Sequence, residues 1–269
     1  RATPAHDLNF IARAGVLDLL GPSGDWAIPL NLVADFGGAA MHTAFGIMAA
    51  LYDRQQTGVG QYLDISYLEA TVALAAGTPN FRGLTTDAVL TGRGKGVLSG
   101  AYPYYTVYRT RDGKGLTVAC SEQRLWDNFC RALGLTDLAC HGRHPDHYRR
   151  APDAKERAAR ERIAEHIGTR DLSDWLRHLQ DADTCVAPVN DATGLLDDPQ
   201  LRHRGLFVDT EHPSEGRVRH IGSPIRLSNA QVGPRRAAPL PGEHTDAVLA
   251  DLGLSSADIM RLRAVGVVN

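Results

Sequence analysis

The sequence predicts an α/β protein in which a helix–strand–helix layer is followed by a smaller α+β part. Three observations predict it. The first 76 residues read as helix, strand, helix. The periodicity breaks in a Gly/Thr-rich stretch between Gly77 and Gly100. Beyond that break, a Tyr/Thr/Val-rich hairpin precedes a run of helices.

Element by element, Leu8, Ile11, Leu17 and Leu20 recur near helical spacing. Asp7 or Asn9 is placed to cap that helix, and Gly21-Pro22 to stop it. A Pro/Gly/Asn-rich loop runs to Ala34. Ala40, Ala44, Ile47, Met48 and Leu51 then mark one face of a helix from about Gly37 to Gln56, with Gly58 beyond its end. Gln61–Ser66 reads as a short strand and Tyr67–Ala76 as the next helix. Tyr104–Thr110 and Leu116–Ser121 flank the turn Arg111-Asp112-Gly113-Lys114-Gly115. Helices are expected at about 123–133, 153–167 and 171–180, extended segments and turns over 181–240, and helices again near 245–252 and 256–265. No fixed-period repeat is present.

Composition narrows the function. The 269 residues are 43% hydrophobic and 22% charged with a formal charge of −2, enough for a real core and no footprint for nucleic acid or an acidic membrane surface. No apolar run is expected to approach the ~20 residues of a membrane span. Four scattered cysteines (Cys120, Cys130, Cys140, Cys185) make no disulfide framework and point to a reducing, cytoplasmic setting.

Three places could carry chemistry. His6 stands just before a helix, where outward backbone N–H groups favour a developing anion, although a lone histidine there also suits a surface role. Asp35, in Leu32-Val33-Ala34-Asp35-Phe36-Gly37-Gly38, reads as a helix cap, a base or a nucleophile, and the two glycines would let a ligand approach the backbone. Ser121-Glu122 ends the hairpin before a helix, so Glu122 is either a first-turn carboxylate or a group acting through tertiary contact. Cys140-His141, His144 and His147 have metal-ligand chemistry, but Arg143, Arg149 and Arg150 crowd them and no matching ligand spacing follows, so no metal site is expected. Gly92-Arg93-Gly94-Lys95-Gly96 lacks the spacing of a phosphate loop.

Together these segments resemble the α-methylacyl-CoA racemases of the family III CoA-transferase superfamily. The resemblance is carried by Ala5-His6-Asp7-Leu8-Asn9-Phe10, by Leu30 to Gly38, and by Ala49-Ala50-Leu51-Tyr52-Asp53-Arg54-Gln55-Gln56-Thr57-Gly58 running into Gly60-Gln61. Ala101-Tyr102-Pro103-Tyr104-Tyr105, Pro241-Gly242-Glu243-His244-Thr245 and Leu262 to Val267 continue it in the same order. It implies a large family III α/β domain at 1–99, lacking an upstream part, a small inserted α+β domain at 100–198, and a return to the large domain at 199–269, in an interlinked homodimer. It also implies racemisation or epimerisation of 2-methyl-branched acyl-CoA thioesters by 1,1-proton transfer through an enolate. His6 and Asp35 would be the acid/base pair and Glu122 the supporting carboxylate, reaching His6 across the dimer. Ala5, Asp7, Leu8, Asn9, Phe10, Gly37 and Gly38 would contact substrate, the Asp7 N–H facing the enolate oxygen. Coenzyme A is then part of the substrate, and no separate cofactor is implied. Two further readings stand beside this one: a CoA-transferase with Asp35 as acyl-accepting nucleophile, and a non-catalytic CoA-binding piece. The chain departs from the family at Ala5, where glycine is usual.

Overall fold

The computed structural model describes residues 4–78, 81, 92–230, 232–233 and 237–268. Most of the Gly/Thr-rich break between Gly77 and Gly100 lies outside them. The chain forms two compact units, Arg1–Val189 and Asn190–Asn269.

The first unit opens with α1 (Asp7–Arg13). This helix is shorter than the apolar spacing predicts, because Gly15 turns left-handed at φ 73° and leaves Leu17–Leu19 as a separate 3₁₀ turn. The N-cap is His6 rather than Asp7 or Asn9. The second helix also begins earlier than expected. Leu32–Ala40 is a π-helix that runs without interruption into α2 (Met41–Thr57), and Gly58 at φ 75° ends it as predicted. By length and composition alone this continuous run could cross a membrane. No such run stands out in the sequence at first sight, because Asp35, His42, Thr43 and the glycines Gly37, Gly38 and Gly46 interrupt the apolar stretch. None of the residues of α2 is buried, and Met41, Phe45, Met48 and Tyr52 face outward.

Gln61–Ser66 is not a strand: it has no ladder partner among the described residues, and an unpaired segment of this length has no sheet to join. It leads into α3 (Tyr67–Ala75), whose Ser66 cap accepts the Glu69 N–H. Ile11, Ala14, Val16, Ala34 and Ala75 form a small core joining α1, the π-helix and α3.

The second core of this unit is larger. Strands β1 (Tyr105–Arg109) and β2 (Gly115–Ala119) pair antiparallel, Tyr105 opposite Ala119, as the hairpin pattern predicts. β3 (Val186–Pro188) adds antiparallel to β2. The helices α4 (Gln123–Ala132), α5 (Ala154–Ile167) and α6 (Leu172–Leu179) fall within a residue or two of their expected spans. Their apolar faces meet Tyr104, Tyr108, Leu116 and Val118 around the fully buried Trp126 and Trp175. Trp126 Nε1 donates to Leu138 O at 3.2 Å and Trp175 Nε1 to Ile167 O at 2.7 Å, so both indoles are buried with their polar atom satisfied.

The second unit contains α7 (Pro199–His203), the hairpin β4 (Phe207–His212) and β5 (Gly216–Ile221), and the closing helices α8 (Thr245–Asp251) and α9 (Ser256–Ala264). Asp209 on β4 faces Arg217 and Arg219 on β5. The two guanidiniums hold its carboxyl down to about 2.

Candidate active site

His6 and Asp35 are brought together by the residue next to His6. Asp7 is 4% exposed, and its Oδ2 accepts the Ala34 N–H at 2.7 Å and the Asp35 N–H at 2.9 Å. The first turn of a helix has unpaired N–H groups, and Asn31, at the N-cap of Leu32–Ala40, gives them no side-chain acceptor. A carboxylate from another helix takes that place. His6 and Asp35 are therefore separated by one peptide link and one hydrogen bond. His6 is exposed at its N-cap with an extended backbone (φ −123°, ψ 178°), and Asp35 is half-buried.

The neighbouring side chains are placed by local bonds. Asn9 Oδ1 turns back to accept the His6 N–H at 3.0 Å, which fixes the entry into α1. Ala5 is half-buried and Leu8 exposed. Phe10 stacks on Tyr67 with ring centroids 5.1 Å apart, so it packs α1 against the start of α3. Gly37 and Gly38 serve close packing. A β-carbon at Gly37 would stand 3.0 Å from Leu32 O and 3.3 Å from Leu74 Cδ2, and one at Gly38 3.1 Å from Val33 O. These contacts arise from the π-helical turn and from α3, and they explain both glycines without a ligand.

Glu122 is not beside His6 in its packing. It is the exposed N-cap of α4, on the lobe built around Trp126, whereas α1 belongs to the core around Ile11. A cleft of about 740 Å³ lies between the two lobes of this unit, lined by Pro22 and Ser23 on one side and by Leu98, Gly100, Tyr105, Val107, Thr117 and Arg160 on the other. None of His6, Asp35 and Glu122 lines it. Arg93, next to the lining residue Gly94, has Nη1 2.9 Å from Asp18 Oδ1 and its guanidinium 4.7 Å over the Trp26 ring.

Sequence reasoning read the Cys140/His141/His144/His147 cluster only as a metal question. Among the described residues no group of His, Cys, Asp and Glu is placed to hold a metal. His147 instead belongs to a buried polar network. Its Nδ1 accepts the His144 N–H at 3.2 Å and is 2.9 Å from the Tyr104 hydroxyl. Its Nε2 is 2.8 Å from Glu156 Oε1. Because a backbone N–H already donates to Nδ1, the ring proton sits on Nε2 and points at Glu156, and Tyr104 donates. Burial lowers the His147 pKa and raises that of Tyr104. The periodicity of histidines hid this because the partners, Tyr104 and Glu156, lie 43 and 9 positions away.

The pattern of CoA-transferase family III matches residues 1–245. The chain is similar to human alpha-methylacyl-CoA racemase, 31% identical over 263 residues, covering 96% of this chain and 65% of the relative. It is also similar to human succinyl-CoA:glutarate CoA-transferase, 26% identical over 269 residues, covering 98% of this chain and 59% of that protein. The chain thus spans about two thirds or less of the length of these relatives. A crystal structure of a CAIB/BAIF family protein from Brucella suis superposes with a TM-score of 0.72 at 23% identity, covering 92% of this chain and 63% of the other. That likeness extends the agreement from sequence to fold. On the match over residues 1–245 and the similarity to the racemases, the chain belongs to CoA-transferase family III.

Proposed function

We propose that the whole protein racemises or epimerises 2-methyl-branched acyl-CoA thioesters by 1,1-proton transfer, with His6 and Asp35 as the two acid/base groups. The observation that carries this reading is the Asp7 bridge, which joins an N-cap histidine to a helix-entrance carboxylate. One member of the pair takes the α-proton as base, leaving negative charge on the thioester oxygen. The other, protonated beforehand, delivers its proton to the opposite face, and the two exchange roles for the other epimer. The α-proton of a thioester is weakly acidic, so stabilising the enolate oxygen must supply much of the rate. The Asp7 N–H, in the first turn of α1, is the donor assigned to that oxygen. Ala5, Leu8 and Asn9 shape the surface around it, and Phe10, Gly37 and Gly38 hold the elements behind it in close packing.

Coenzyme A enters as part of the substrate, and no separate cofactor takes part. The partner is a second copy of the protein rather than nucleic acid or membrane, in a dimer that brings Glu122 of one subunit to His6 of the other, across the boundary of a small domain inserted in the large one. The outward Met41, Phe45, Met48 and Tyr52 of α2 support self-association. Sedimentation of the full-length protein is expected to give a dimer at micromolar concentration, and a well-folded monomer would remove this assembly. A reducing, cytoplasmic location fits the four free cysteines, of which Cys120 and Cys130 are buried with thiols pushed up to about 11 and about 12.

The likeness to succinyl-CoA:glutarate CoA-transferase favours one second reading, in which Asp35 attacks the thioester carbonyl, the C–S bond breaks with coenzyme A leaving as thiolate, and an acyl-enzyme anhydride forms. Full-length protein incubated with a single 2-methylacyl-CoA epimer in D₂O separates the two. Racemisation gives α-deuterium and no hydroxamate on the enzyme. A transferase gives a hydroxamate on the Asp35 carboxyl, read by mass spectrometry of the protein, and no α-deuterium, and that pair of results would reassign the reaction.

A further inference from the structure

We infer that the Asp7 side chain is a positioning residue, setting the distance and orientation of Asp35 relative to His6 by geometry rather than by its charge. The inference rests on the racemase reading and concerns an atom that reading does not use, the Asp7 carboxylate. Three observations carry it. The carboxylate is buried, yet it serves no N–H of its own helix; both its bonds reach 27 and 28 residues along the chain, to Ala34 and to Asp35 itself. It replaces a cap that Asn31 does not provide. Its second oxygen, Oδ1, is buried with no hydrogen-bond partner among the described residues. A buried carboxylate oxygen without a donor is costly and therefore rare. Here Asp7 spans α1 and the π-helix through one oxygen, and both its bonds among the described residues fix that junction.

Because α1 is followed by a glycine turn at Gly15 and the π-helix is preceded by the Pro/Gly/Asn-rich loop, the two first turns have no covalent tie nearer than the 28 residues between Asp7 and Asp35. Without the bridge, the first turn of the π-helix would be joined to α1 by apolar packing, with Ala34 and Val33 against Ile11, while Gly37 and Gly38 stay packed on α3. Such packing resists separation but tolerates sliding and rotation. A shift of about 1 Å between an acid and a base that share one carbon can cost ~10²-fold in rate.

The test compares Asp7→Ala, Asp7→Asn and Asp7→Glu in the full-length enzyme, at a temperature well below the unfolding transition of each. Racemisation and α-deuterium incorporation are followed with one 2-methylacyl-CoA epimer. Asn keeps an acceptor oxygen at the same reach and sets its NH₂ where Oδ1 now has no partner; Glu keeps the charge but is one methylene longer. The expected order is wild type, then Asn within about 5-fold in kcat, then Glu, then Ala down by about 10²-fold, with KM changed less than about 3-fold throughout. Adding Asn31→Asp to Asp7→Ala supplies a local cap without the bridge, and should restore thermal stability but not kcat. Glu performing as well as Asn, or Asn31→Asp restoring kcat together with stability, would overturn the inference. So would kcat within about 2-fold of wild type in both Asn and Glu variants while the wild type still incorporates deuterium, a result that leaves the racemase reading intact. If Ala does not fold, the Asn and Glu pair decides the question. Wild-type enzyme that incorporates no α-deuterium fails the racemase reading itself, and the inference falls with it.

Discussion

Replacing His6 with alanine in the full-length protein is expected to lower racemisation of a 2-methylacyl-CoA by about 10²–10⁴-fold, the usual cost of losing a positioned acid or base. The size alone does not identify the mechanism, because any damaged active site slows. The asymmetry does. With two groups on opposite faces of one carbon, removal of His6 stops inversion in both directions but leaves Asp35 able to take the α-proton that faces it. The variant should therefore exchange deuterium into one epimer, with retention, and into the other hardly at all. Asp35→Asn should show the mirror image, exchanging only the epimer whose α-proton faces His6. If His6→Ala instead keeps turnover within a few-fold, two-face proton transfer through His6 is excluded, and attack by Asp35 on the thioester becomes the reaction to pursue. Exchange of both epimers at equal reduced rates would show that water, not a fixed second group, reaches the far face.

How much of this was legible in the sequence varies with the range of the interactions involved. Strands β1 and β2, and helices α4 to α6, were readable because their periodicity and caps are local: Asp153 with Glu156 is a capping box within four residues. Elements whose limits depend on distant partners were not. The start of the π-helix at Leu32 depends on an acceptor from Asp7, so the sequence placed the helix five residues late, at the glycines. Gln61–Ser66 has strand composition, but a strand exists only with a neighbour to bond. At the site, His6, Asp35 and Glu122 stood out singly at helix entrances and took their roles from the resemblance, and the Asp7 side chain ties the backbones of the first two by a bond that no spacing rule anticipates. An aspartate in the first turn of a helix normally serves that helix, and nothing local marks Asp7 as serving another. The His147 network was hidden for the same reason, since Tyr104 and Glu156 come from opposite sides of it in the chain.

That network carries the second large effect. Glu156 is 5% exposed and accepts four bonds: Arg150 Nη1 at 2.6 Å and Nη2 at 2.7 Å, the Asp153 N–H at 2.8 Å, and His147 Nε2 at 2.8 Å. Glu156→Ala leaves a buried imidazole N–H and a capping N–H without an acceptor. It also frees Arg150, whose side chain is partly exposed and can turn to water, so the full penalty of a broken buried ion pair does not apply. The expected loss is about 2–4 kcal/mol, or a fall in Tm of about 5–15 °C for a domain of this size. The effect should depend on pH with a definite sign. Burial lowers the His147 pKa in the folded protein, so the unfolded chain takes up a proton first, and stability falls as pH drops below the ordinary histidine value of about 6.5. Glu156 acts in the same direction at more acid pH: burial alone would raise its pKa, but the Arg150 guanidinium and the Asp153 N–H hold it below the ordinary value, so its contribution is present above that value and is lost as pH falls through the depressed one. In Glu156→Ala, His147 loses the one carboxylate that favours its charged form, so its pKa drops further and the decline below pH 6.5 should steepen. His147→Gln should flatten that decline while costing stability at neutral pH. Urea unfolding midpoints of the three proteins between pH 5 and pH 8 read both effects; equal slopes in wild type and His147→Gln would show that another group sets the acid limit.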